Sequence, residues 1–186
     1  MKNKWFKIAA GVIAMAATAT IQATPITGSI SMNGGDTLNT ADVTTASQIT
    51  GWNNVQVQAD SGTFASIAQN ANVLMSAPWI FNPSTGLANL WSVGGFSFSV
   101  TSDVFTTYYL NGIGWLSISG NGTISGNGYD TTPFIWNFST SNPPTTGTQN
   151  FTFSATTATV PDGGATVMLL GAALSVMGLF RKKLIA

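Results

Sequence analysis

Through the second half of the chain, apolar and hydroxyl-bearing residues take turns. FSFSV (96–100), VFTTYYL (104–110), WLSIS (115–119), FIWNFST (134–140) and NFTFSAT (150–156) all alternate or nearly so. A period of two sends successive side chains to opposite faces of an extended strand, one face dry and the other wet. Weaker runs of the same kind lie earlier: ITGSISM (26–32), NVQVQA (54–59), TFASIAQ (63–69) and LANLWSV (87–93). Turn signals separate them: NGG (33–35), ADSG (59–62), NPSTG (82–86), GG (94–95) and NPPTTG (142–147). GNG occurs at 120–122 and again at 126–128. Asn-Gly supplies the positive φ of tight hairpins, so two successive turns are expected around TIS. DVTTASQITGW has room for one helical turn. Short strands at this spacing predict an all-β domain over 24–159. It is expected to be a single antiparallel β-sandwich, jelly-roll-like, of about eight to ten strands.

Charge is distributed as unevenly as hydropathy. All six cations lie near the ends: Lys2, Lys4 and Lys7, then Arg181, Lys182 and Lys183. The stretch 24–159 holds Asp36, Asp42, Asp60, Asp103 and Asp130 with no Lys or Arg, so it carries about −5 at neutral pH. Binding of nucleic acid by counterion release needs cations to replace ions at phosphates, and this body offers none. The chain also lacks His and Cys. That excludes a Ser-His-Asp triad, a Cys-His dyad, imidazole or thiolate zinc sites and disulfide staples.

Both ends read as addresses. MKNKWFK is a basic n-region, IAAGVIAMAATAT an uncharged apolar stretch, and IQA places a cleavage site after Ala23. These are the three parts of a secretory signal peptide, assigned to 1–23 as a signal helix. At the other end, the sixteen residues 165–180 carry no charge. As a helix they span about 24 Å at ~1.5 Å per residue, against a hydrocarbon core of ~30 Å. Gly163, Gly164 and snorkelling basic side chains make up most of the difference. Pro161 marks the boundary, Asp162 is placed to cap the first turn, and Arg181, Lys182 and Lys183 hold the cytoplasmic side. Residues 160–186 are therefore expected to form a motif, a transmembrane helix and a basic tail.

The ordered set VPDGG, apolar helix and basic cluster, paired with an N-terminal signal, resembles a PEP-CTERM sorting signal. Its nearest form is the VPDSG-type variant. The resemblance covers 160–183, with Asp162 where Glu is usual and Gly163–Gly164 in place of Ser-Gly. It implies that Val160, Pro161, Asp162, Gly163 and Gly164 form the recognition motif and Arg181, Lys182 and Lys183 the stop. It further implies an exosortase-type transpeptidase as processing partner, after export by the secretion machinery and signal peptidase. The precursor would be anchored in the inner membrane of a Gram-negative bacterium, and the product placed in the envelope, on the outer surface or outside the cell.

For the body, three chemistries survive the composition. Asp-based catalysis of glycosidase type needs two carboxyls about 5–10 Å apart, and no motif pairs the five Asp. Calcium takes carboxylate and carbonyl oxygens, which makes Asp36 and Asp42 (in NGGDTLNTAD) and Asp130 (in GNGYD) its candidates, although turn-capping explains them more simply. Sugar binding needs exposed rings. Trp52, Trp79, Trp91, Trp115, Trp136 and the pair Tyr108/Tyr109 are rings able to stack on pyranose faces. Trp52 and Trp79 flank turn-like segments and are the candidate glycan contacts, whereas Trp115 and Trp136 sit within apolar strand patterns. The favoured reading is a non-enzymatic envelope or matrix protein of structural or adhesive role, without a cofactor. A carbohydrate-binding module for exopolysaccharide is the alternative, and an Asp-based glycosidase a distant one.

Overall fold

Nine strands make one antiparallel sheet in the computed structural model, which describes residues 24–142, 149–158 and 170–171. They are β1 (Ser29–Leu38), β2 (Gln48–Asp60), β3 (Leu74–Met75), β4 (Trp79–Ile80), β5 (Leu87–Val93), β6 (Phe96–Leu110), β7 (Ile113–Gly126), β8 (Tyr129–Ser141) and β9 (Gln149–Thr157). Across the sheet their order is β3-β5-β6-β7-β8-β9-β1-β2-β4. The all-β antiparallel expectation holds. The two-layer sandwich does not, because every strand joins one hydrogen-bonded ladder. The reason lies in β1, which inserts between β9 and β2 and so carries the ladder across the point where two sheets would separate.

The sheet curls on itself. Where β2 passes Val55 and Val57 it exchanges backbone hydrogen bonds with 70–73: Val57 N–H to Ala71 O (3.0 Å), Asn70 N–H to Val57 O (2.8 Å) and Val73 N–H to Val55 O (2.9 Å). The same segment runs directly into β3, which pairs with β5. Residues 70–75 thus connect the two ends of the sheet along one rim, while the start of β2 pairs with β4. Both terminal strands are only two residues long, and beyond Val100 β6 pairs with β7 alone.

Alternation decides which face is inside. On β8, Phe134, Trp136, Phe138 and Thr140 are buried; on β7, Leu116, Ile118 and Ile124; on β9, Phe151, Phe153 and Ala155. Trp136 sits among rings from three other strands. It meets Trp79 of β4 edge-on at 5.5 Å, lies nearly parallel to Phe153 at 5.9 Å and has the edge of Phe98 at 6.2 Å. Such pairs contribute about 0.5–1.5 kcal/mol each beyond the area they bury.

Two turn expectations fail for one physical reason. Asn33–Gly35 lies within β1, and Gly120–Gly122 within β7, paired on both sides. A Cβ on Gly34 would stand 2.8 Å from Val55 Cα, and one on Gly120 would run into the Ser102 carbonyl. These glycines allow close approach of backbones rather than a change of direction. The second GNG behaves as expected, with Asn127 and Gly128 at positive φ joining β7 to β8. TFASIAQ is not a strand: 62–64 form a 3-10 turn that buries Phe64. The helical turn expected after Asp42 is the 3-10 turn Val43–Thr45.

Among the described residues no helix is long and apolar enough to cross a membrane. The expected signal helix at 1–23 and most of the expected transmembrane helix lie outside the described residues. Only Leu170 and Gly171, both helical, are described there.

Candidate functional site

The five body aspartates separate into different environments. Asp36 faces the core from β1 and is only 3% exposed. Its Oδ1 accepts a 2.8 Å hydrogen bond from the Thr140 hydroxyl, while Oδ2 has no partner. Burial pushes this carboxyl up to about 6, and the Thr140 bond only partly offsets it. Asp103 is turned inward by the β6 bulge between Val100 and Ser102 and accepts from the Ser84 hydroxyl. Desolvation raises its carboxyl as well.

Asp42 is the opposite case. It caps the 3-10 turn, with Oδ1 accepting from the Thr44 N–H and hydroxyl at 2.9 Å each, and Oδ2 accepting from the Tyr109 phenol at 2.6 Å. Asn142 reaches the same carboxylate at 3.4 Å and accepts the Val43 N–H at 3.0 Å. The Tyr109 bond first, then those from Thr44, hold Asp42 down at about 2. The capping explanation for this residue is the geometry found. Asp130 stands at the other end of β8 from Asn142, its N–H bonded to Thr24 O at 3.2 Å. The calcium candidates are therefore not brought together as a set. Among the described residues no three acidic side chains gather where a metal ion could sit.

The glycan candidates move further from expectation. Trp79 is fully buried and offers no face to a sugar. Trp52 is half-buried, stacked at 6.4 Å on Trp79, with its indole N–H given to Ser76 O at 2.8 Å. Strand order carries both rings under the sheet, where flanking turns in the sequence suggested exposure. The ring pair on the outer face is Tyr108 with Trp115, cross-strand partners whose planes differ by 6° at 6.3 Å. Tyr108 is 47% exposed and Leu110 beside it 55%. Tyr108 was among the rings the sequence offered for stacking, and the alternation of Trp115 with inward-facing Leu116 was the signal for its partner. Trp136 is in the core as its strand pattern indicated, whereas Trp115, grouped with it on the same ground, faces outward.

A second feature of the outer face was not legible in the sequence. Asn33 pairs with Gln56 but Gly35 pairs with Asn53, so β2 carries one more residue than β1 across this step. The extra residue is accommodated by Asn54 at φ 46°. Val55 turns into the core, leaving an outward depression of about 420 Å³ between β2, β1 and β9. Asn33, Asn53, Asn54, Asn150 and Thr152 surround it, over Gly34 and Gly35.

Val160, Pro161, Asp162, Gly163 and Gly164, with Arg181, Lys182 and Lys183, lie outside the described residues. Comparison with known families bears on them directly. Residues 159–184 match the model of the VPDSG-CTERM motif, so this part of the chain is a sorting element of PEP-CTERM type. No curated protein and no solved structure matches the chain. The motif speaks for an exported, surface-targeted protein handled by an exosortase-type system in general terms. What the body does rests on its own geometry.

Proposed function

We propose that this is an exported protein held transiently in the membrane by 160–186, cut near Pro161 and Asp162, and delivered to the envelope or matrix in a structural or adhesive role. The observation that carries it is the match of 159–184 to the VPDSG-CTERM motif. The non-enzymatic part rests on composition, since the chain has neither His nor Cys for a nucleophile's base or thiolate. The carboxylates Asp36, Asp42 and Asp103 take their hydrogen bonds from Thr, Tyr, Asn and Ser side chains and the Thr44 amide, with none shared between two carboxyls. Deleting 160–186 is expected to move the body from the membrane to the soluble exported fraction. Unchanged membrane fractionation would overturn the anchoring reading.

Carbohydrate binding is the second reading, favoured by the Tyr108–Trp115 pair. An aromatic face exposed beside uncharged hydroxyls suits the C–H faces of a sugar ring. The neighbouring outward positions across the sheet, Thr106, Ser117, Ser139 and Thr152, are hydroxyl residues without charge.

A further inference from the structure

The depression at the β1–β2 bulge has a composition that selects a ligand class. Among the described residues, none of the side-chain amides of Asn33, Asn53, Asn54 and Asn150 has a hydrogen-bond partner within the protein, and all four side chains are exposed. Each amide offers two donors and an acceptor, the mixture that matches hydroxyl groups, which both give and take. No charged residue lines the site. Asp36 follows Gly35 in sequence but faces the core. A phosphate or carboxylate would meet no cation there, and calcium would meet amide carbonyls without a carboxylate. Gly34 and Gly35 line the site without adding a side chain to it.

We propose that this pocket binds an uncharged, polyhydroxylated ligand: one sugar unit of a neutral polysaccharide chain. The proposal rests on the carbohydrate-binding reading and gives it a seat apart from the aromatic pair. The two are related by register. Gly35 pairs with Asn150, Thr140 with Phe151, and Trp115 with Ser141, so Asn150 and Trp115 stand in the same crosswise row two strands apart. At ~4.8 Å per strand that is about 10 Å. A chain seated in the pocket runs along this row toward Trp115 and Tyr108.

The test uses the full chain in detergent micelles, titrated with neutral gluco-, manno- and galacto-oligosaccharides and, for comparison, a uronate oligomer and calcium. Binding is followed by calorimetry and by the NMR shifts of the Asn side-chain amides. A neutral oligosaccharide is expected to bind, and the double variant N33A/N150A to weaken it about tenfold or more with the thermal midpoint unchanged. Y108A is expected to weaken long oligomers and leave short ones unaffected. If Y108A weakens binding and N33A/N150A does not, the pocket is wrong and the aromatic reading stands. If no neutral sugar binds, or only the uronate or calcium does, both fall. The anchoring reading is judged separately by fractionation.

Discussion

Asp36 on β1 and Thr140 on β8 are 104 positions apart in sequence and share a buried 2.8 Å hydrogen bond across the intervening strand β9. The bond fixes β1 against the end of the long β6–β7–β8 ladder. It also leaves a carboxyl in the core with its second oxygen unpartnered. A charge is costly there, because a single neutral hydroxyl replaces only part of the lost hydration.

Stability should consequently fall as pH rises from 4 to 6. Burial raises the folded carboxyl of Asp36 to about 6 from an ordinary 3.8. Between those values the folded state binds more protons than the unfolded one, so stability decreases with pH. The loss is complete above about 6 and amounts to roughly 3 kcal/mol at most. Asp103, raised by the same cause, adds in the same direction. Urea midpoints measured from pH 4 to 7 should decline in the natural protein and decline much less in D36N. Identical slopes would exclude Asp36 as the source.

The acid limb belongs to Asp42. Its carboxyl is held at about 2, so its contribution is present above 3.8 and lost as pH falls toward 2. Tyr109→Phe removes the leading hydrogen bond and should move the Asp42 titration upward. NMR titration of the side-chain carboxyl reads this directly. An unmoved midpoint would mean that Thr44 and Asn142 suffice without the phenol.

Gly120 and Gly112 separate close approach from turn conformation. Gly112 sits at φ 78° with open space around its missing side chain, so G112A should cost about 1–2 kcal/mol of backbone strain. At Gly120 an added methyl runs into the Ser102 carbonyl at the β6 bulge, and G120A should cost about 3 kcal/mol or more. Chemical denaturation ranks the two. Equal losses would mean that the bulge yields to the methyl group.

What the sequence determined by itself was local or linear. Alternation in FIWNFST and NFTFSAT gave strands and their dry faces, because side-chain direction in an extended chain depends only on position parity. Charge distribution and the run after Pro161 gave the sorting element, because an address is read along the chain. Tertiary structure decided everything that depends on which strands become neighbours. NGG and the first GNG look like turns until Val55 and the Ser102 carbonyl are found pressed against them. Trp79 looks exposed until β4 is laid on β2 and its ring meets Trp136. Asp36 resembles an ion ligand until Thr140 arrives from the far side of β9. The amide pocket has the same origin. Its asparagines come from β1, β2 and β9, and only the extra residue in the β2 ladder makes the space between them.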